Sequence, residues 1–450
     1  MNKPRVSIGV ITFVAALAAA LAASAQTTSQ DVLHQHGDEA RGSVGPPLSL
    51  ADAIAEALSK NPDLLALRAQ LPVTRARPAQ ERALMPPMVE AQIWQWPINT
   101  LNPANVNMYM FMVDQDLPGR GKRRLHAAVA QKDVALAESD VAIRSRLLVN
   151  EVKQAYSALF IGRKAIDVHL ASVDLLRQVA DVSQVKYATG RISQQDILKP
   201  VTEISKHHSD IVMFEEQARI AAARLNILLD RAPDAPIGPL AEPVEQTLLP
   251  ASGDMQRLAI EHQPELRKAA IEVERAEAEL ASARQDYKPD FSLQGGYQVM
   301  PNQTDAWLAR VGITWPKAPW SRGKIDARVA EQIAAVSAAK ARERAMENNI
   351  RLAVQEALVR AQSAQQRAAL ARTTILPQAK QTFDVSRVAY QADRIDFQTV
   401  LDNQRMLLDS ELDYYKALSD FEQALADLER AIGTDLPSGT TQPATKGELR

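Results

Sequence analysis

The sequence contains no cysteine, so disulfides, thiolate metal centres and thiol nucleophiles are excluded. Aromatic residues make up only 5% of its 450 positions. With alanine frequent, that favours long helices over a compact aromatic core. Neither sign of charge dominates. The 52 Lys and Arg against 54 Asp and Glu are spread along the chain, leaving no basic face for nucleic acid and no acidic tail. Beyond the N-terminus no stretch approaches the roughly 18 apolar residues of a spanning helix. The seven histidines show neither zinc-protease spacing nor a triad. The GRGK stretch at 119–122 lacks the spacing of a phosphate loop and precedes Arg123 rather than Ser or Thr. No enzyme signature remains, and no cofactor is expected.

What is present begins at the N-terminus. Lys3 and Arg5 precede an apolar run from Val6 to Ala23, and Ala23-Ser24-Ala25 supplies a small-residue cleavage pattern. This predicts a signal peptide over 1–25, cleaved before Gln26. The exported chain is then periplasmic, secreted, or in an outer membrane as a β-barrel. In the leader over 26–47, His34 and His36 stand near Asp31, Asp38 and Glu39. They offer a divalent ion two imidazoles, but a lone HxH pair is little evidence of a metal site. His207 and His208 are adjacent on a predicted helix, about 100° apart, and are poor co-ligands.

The rest is written twice. Asn61-Pro62-Asp63-Leu64 is echoed by Gln263-Pro264-Glu265-Leu266, an offset of 263 − 61 = 202, and Arg120-Gly121-Lys122 by Arg322-Gly323-Lys324, 322 − 120 = 202. YATGRISQQDIL from Tyr187 is echoed by YQADRIDFQTVL from Tyr390, 390 − 187 = 203. The organisation predicted is a first repeat over 48–231, a Pro-rich linker over 232–254, a second repeat over 255–433 and a disordered tail over 434–450.

Each repeat reads as a short helix stopped by the Asn-Pro or Gln-Pro step, a second helix, two alternating segments, and two very long helices. Pro72 and Pro78 predict a kink in the first repeat's second helix. Leu125 to Tyr187 as one helix would span about 95 Å. In the last helix Leu401, Leu408, Leu412, Tyr415, Leu418, Leu425, Leu428 and Ile432 form one near-heptad stripe.

The alternating segments decide the class. Phe291, Leu293, Gly295, Tyr297 and Val299 alternate with polar or small residues, and Trp307, Ala309, Val311, Ile313 and Trp315 alternate with Leu308, Arg310, Gly312 and Thr314. These predict strands at 291–299 and 307–315, and in the first repeat at about 89–96 and 107–116. Nine residues is the length of a tilted strand crossing a bilayer, with Trp307 and Trp315 as interfacial anchors. Four strands cannot close a barrel, and an open edge in lipid leaves backbone groups unsatisfied. Either several chains pool their strands or the hairpins dock a soluble coiled-coil scaffold. The first is the expectation: a mainly α chain with a β-hairpin pair, forming a long coiled-coil α-helical barrel and a pooled transmembrane β-barrel.

The order of LSLADAIAEALSKNPDL, LAIEHQPEL, ARQDYKPDFSLQGGY, VGITWP, RGK and YQADRIDFQTVLDNQRMLLDSELDYYKAL resembles the TolC-like outer-membrane efflux proteins from about Leu48 to Gly433. The resemblance implies a homotrimer with four strands per chain in a 12-stranded barrel, set in outer-membrane lipid and extending into the periplasm. It implies as partners a periplasmic adaptor and an inner-membrane pump, commonly a proton-driven one of the RND type, with this chain as the passive exit duct. QDLPGRGKRRL and ATGRISQQDIL look closest to the heavy-metal branch, with drug or organic export as the alternative cargo. Many relatives carry a lipid-modified cysteine where Gln26 stands, so no acyl anchor is expected.

By the same resemblance, Gly190-Arg191-Ile192-Ser193 and Asp393-Arg394-Ile395-Asp396 are the helix-to-helix turns that meet the adaptor. Asp196 and Asp402 stand where family members ring the periplasmic gate with acid, favouring cations; each could instead be a helix-start aspartate satisfying amides. Met108, Met110 and Met112 face the lumen if Tyr109, Phe111 and Val113 face lipid. Their thioethers suit soft metals, or simply fill a narrow interior.

Overall fold

The computed structural model describes residues 47–100, 102–241, 251–301 and 303–436. The expected signal peptide, His34, His36 and most of the tail lie outside the described residues.

Each repeat opens with two helices: α1 (Leu50–Lys60) and α2 (Pro62–Arg82) in the first, α5 (Ser252–His262) and α6 (Pro264–Gln285) in the second. The proline suits the first helical position, where no N–H is needed, but the residue before it explains the motif. Asn61 accepts the Leu64 N–H at 3.2 Å and donates from Nδ2 to the Leu228 carbonyl at 3.2 Å. Gln263 donates from Nε2 to the carbonyls of Arg430 at 2.9 Å and Ala431 at 3.0 Å. In both repeats this amide closes the carbonyl end of the repeat's own last helix. The helix α2 runs through Pro72 and Pro78 as one element of 21 residues.

The long helices follow. In the first repeat they are α3 (Lys122–Ala188, 67 residues) and α4 (Gln194–Leu228); α3 is about 100 Å long. In the second, α7 (Arg322–Leu370) passes through a π-helical segment (Ala371–Ile375) into α8 (Leu376–Gln391), and α9 (Phe397–Ile432) returns. A π segment accommodates an extra residue. It accounts for the repeat offset moving from 202 at Gly121 and Gly323 to 203 at Tyr187 and Tyr390. Pro377 follows it and lacks the N–H that the Thr373 carbonyl would otherwise receive.

Packing relies on small residues. A Cβ on Gly162 of α3 would lie 3.2 Å from the Ala218 Cβ of α4, which is how closely these helices approach. Leu64, Leu148, Leu159 and Leu225 centre the core of the first repeat, and Val354, Leu358, Leu428 and Ile432 that of the second. Towards the far turns one core is shared, with Leu176 and Val179 against Phe383, Tyr390, Val400 and Leu401.

The strands β1 (Met88–Trp94), β2 (Met108–Leu117), β3 (Phe291–Val299) and β4 (Ala306–Ile313) form one antiparallel sheet in that order. Pairing of β2 with β3 joins the two repeats. Two strands stop short of the sequence expectation. Gln95, at φ 56°, turns the chain out of β1. After β4 the Thr314 N–H still reaches the Asp290 carbonyl at 2.9 Å, but Pro316 offers no donor. Trp315 therefore lies in the turn below the strand.

Candidate functional sites: a sheet wall, a helical mouth and a buried histidine pair

Residues directly opposite in an antiparallel pair share a face. Val89 pairs with Val113, Phe111 with Tyr297, and Leu293 with Val311. One face is thus apolar, and Val89, Phe111, Val311 and Ile313 are exposed on it. The other face carries the rows Gln92, Met110, Gln298 and Asp114, Gln294, Arg310. Met108, Met110 and Met112 lie on this polar face, and the Met110 sulfur accepts from Gln298 Nε2 at 3.7 Å. Consecutive methionines are two residues apart, about 6.6 Å along the strand, a wide spacing for sharing one ion.

Aromatic rings mark both ends of the wall. Trp307 packs against Tyr297 with ring centres 4.9 Å apart and planes tilted by 59° at the end away from the helices, and Trp315 meets Trp320 edge-on at 6.2 Å at the end next to them. Trp307, Trp315 and Trp320 are all largely exposed. Trp320 was not among the expected anchors, although it completes the same Trp-Pro-rich turn. The outer edges of β1 and β4 pair with no strand among the described residues.

At the opposite end both expected turns have one geometry. The Arg191 N–H bonds the Lys186 carbonyl at 3.0 Å around Gly190 at φ 73°, and the Arg394 N–H bonds the Ala389 carbonyl at 2.9 Å around Asp393 at φ 56°. Each is a helix end closed by a left-handed residue, a conformation that suits glycine and is tolerated by few others. Asp393 uses its position. Its carboxylate accepts from Lys186 at 2.6 Å and from Arg191 at 2.9 Å, so it ties the first hairpin's turn to the second's. Lys186 is buried, sits 4.1 Å over the Tyr390 ring and donates to the Tyr390 carbonyl. Hydrogen bonding and charge from Lys186, then Arg191, hold the Asp393 carboxyl below its ordinary range.

The other expected mouth residues separate by role. Asp196 accepts from the Ser193 N–H at 3.2 Å and hydroxyl at 3.0 Å, in a capping box that starts α4. Asp396 accepts the Thr399 N–H at 3.0 Å and caps α9. Asp402 is exposed one turn further along α9, accepting from Gln398 at 3.0 Å. Ile192 and Ile395 are half-buried, and Arg394 is exposed.

A third cluster lies up the first hairpin. His169 of α3 faces His207 of α4 with Nδ1 to Nδ1 at 3.1 Å, and Asp210 stands 4.0 Å from His169. Burial pushes both imidazoles below their ordinary value, opposed by Asp210, so both are neutral at pH 7. Just below, Arg405 of α9 forks onto Glu203 of α4 at 2.9 and 2.8 Å, holding that carboxyl low and joining the two hairpins.

A family model described as outer membrane efflux protein matches residues 53–230 and 256–434, one segment for each repeat. The chain belongs to the outer membrane efflux protein family. It is a non-enzymatic outer-membrane channel of the TolC type that extends into the periplasm, and channels of this family are trimers in tripartite efflux systems. Its four-stranded sheet and long helices match the fold of solved channels of this type. The chain is 22% identical over 367 residues to the cobalt-zinc-cadmium resistance protein CzcC of Cupriavidus metallidurans, covering 80% of this chain and 84% of that one. The solved channel OprN superposes with TM-score 0.73 at 19% identity, covering 85% of this chain and 89% of OprN. CusC gives TM-score 0.71 at 18% identity, covering 86% of this chain and 92% of CusC. Among the described residues no helix is long and apolar enough to cross a membrane.

One carboxyl in this efflux channel sets a pH dependence of its own. Burial raises Glu422 of α9 from the ordinary 4.5 to about 7, opposed by Lys153. Between those values the unfolded chain has released the proton and the folded one has not, so stability falls as pH rises through this window. Glu422→Gln is expected to stabilise the protein at pH 8 by about 1–2 kcal/mol and to do nothing at pH 4. Thermal melts of both proteins at the two pH values check this.

Proposed function

We propose that three copies of this chain form the passive exit duct of a tripartite efflux system for heavy-metal cations. The observation that carries the assembly is the sheet, which joins one apolar face to two edges left open among the described residues. An open edge in hydrocarbon leaves each N–H and C=O unsatisfied at several kcal/mol, and neighbouring copies are the source of strands that satisfies them. Trp307 and Trp315 then anchor the wall at the two interfaces. A periplasmic adaptor meets the turns Gly190–Ser193 and Asp393–Asp396, and an RND-type inner-membrane pump supplies the energy. The metal cargo draws its support from the likeness to a cobalt-zinc-cadmium resistance protein.

A deletion strain tests the cargo. Loss of resistance to cobalt, zinc and cadmium, restored by the gene in trans, is the expected result. Loss of resistance to organic drugs with unchanged metal tolerance would reassign the duct to organic export. The acid ring has its own test. Asp402 is exposed while Asp196 is engaged in its capping box, so Asp402→Ala is expected to lower single-channel cation preference more than Asp196→Ala. Unchanged preference in both trimers removes the ring. The lumen-facing methionines, on this reading, fill the narrow interior with soft, flexible side chains that a metal cation can pass.

A further inference from the structure

We infer that His169, His207 and Asp210 form a divalent transition-metal site that staples α3 to α4. The three side chains place their ligand atoms within 4.8 Å of one another. An ion held by two imidazoles at about 2.0–2.1 Å in tetrahedral geometry separates the two nitrogens by roughly 3.3 Å, and the observed 3.1 Å is close to that. His207 and Asp210 are three residues apart on α4, so they lie on one face of the helix, and His169 approaches from the opposite helix. The ligand set is two imidazoles and one carboxylate, which suits zinc, cobalt or nickel better than calcium or magnesium.

Access and burial fit the same reading. Both histidines are 3% exposed, whereas the Asp210 side chain is 48% exposed. An ion can therefore arrive past the carboxylate and keep a water in the fourth position. Arg405, a cation whose charge acts on His207, is engaged by its fork onto Glu203.

Packing alone does not require the imidazoles. His207 Nε2 is buried without a hydrogen-bond partner, a loss that an apolar side chain would avoid. The second repeat shows that the hairpin can be built without them. At the matching offsets it has Ala371 (169 + 202), where its π segment begins, and Ser410 (207 + 203). The pair is thus a feature of one repeat, roughly 20 Å above the turn that follows α3, counting 1.5 Å for each residue from His207 to Ser193. A metal there would staple the first hairpin directly, whereas the second repeat lacks the pair. The site stands whichever compounds pass through the duct.

The test is a titration of the untagged, metal-stripped full chain in detergent with CoCl2, followed by ZnCl2. Uptake of one cobalt per chain is expected, with the strong visible absorption of four-coordinate cobalt, displaced by zinc, and with a rise in melting temperature. His207→Gln should weaken binding by more than the tenfold to hundredfold that loss of an outer-shell partner costs. Asp210→Asn, an exposed change that leaves the core intact, should weaken it measurably in a protein of wild-type melting temperature. His34→Gln with His36→Gln should leave cobalt uptake unchanged. Absence of saturable uptake by the wild-type chain overturns the proposal. Equal uptake by the wild type and Asp210→Asn, with loss in the leader variant, overturns it too by moving the metal to the leader.

Discussion

Val311→Arg is expected to abolish assembly of the channel in the outer membrane. Val311 lies on the apolar face of β4, opposite Leu293, and is 72% exposed. It sits four residues from Trp307 and four from Trp315, so it falls midway between the two aromatic ends of the wall. An arginine at the bilayer midplane of a barrel costs about 2–4 kcal/mol, and a trimer would carry three. Even one such penalty exceeds the roughly 1.4 kcal/mol of a tenfold change. At least about a tenfold loss of trimer is therefore expected in outer-membrane fractions that have been washed with salt. Arg310, the preceding residue, supplies the control because it already points to the polar face, in register with Gln294. Arg310→Val should leave trimer yield near wild type and alter only conduction. A Val311→Arg protein recovered at wild-type level would turn this face from lipid to water.

Much of the architecture was legible because it depends on local periodicity. Period-two alternation over Phe291–Val299 predicted both the strand and its apolar side, and the register places those residues on one face. The repeated turns were legible for a related reason: a left-handed helix end selects few residues, and here Gly190 and Asp393 fill the same place. Even the π segment left a trace in the offset, which moves by one residue between Gly121 and Tyr187. What stayed hidden were contacts fixed by the rotation of one long helix against another. His169 and His207 are 38 positions apart, and nothing local says that their helices turn these faces together. Sequence reasoning weighed His207 only against its neighbour His208, and so missed the pairing with His169. The same limit concealed the tie between Lys186 and Asp393, whose helices come from different repeats.

That tie carries the second large effect: Asp393→Gly is expected to raise the resting conductance of the channel several-fold. The substitution separates charge from backbone. Glycine occupies the equivalent place in the first repeat and adopts the left-handed conformation without strain, so the turn is kept while the carboxylate is lost. Lys186, buried at the helix end, then loses its anionic partner, and Arg191 is released from the second hairpin. A buried charge stripped of its partner favours rearrangements that rehydrate it. Here the simplest is separation of the two turns at the periplasmic mouth. Acid should act on the wild type in the same direction. Because Lys186 and Arg191 hold the Asp393 carboxyl below its ordinary range, the tie persists as pH falls through about 4, where a free aspartate titrates. It is lost only below that. Planar-bilayer recordings should thus show a wild-type conductance that is flat from neutral pH to about pH 4 and rises in stronger acid. Asp393→Gly should be high at every pH and lack that rise. Equal conductance of the two proteins at pH 7 would mean that the mouth is held by the shared core around Phe383 and Leu401 and not by this ion pair.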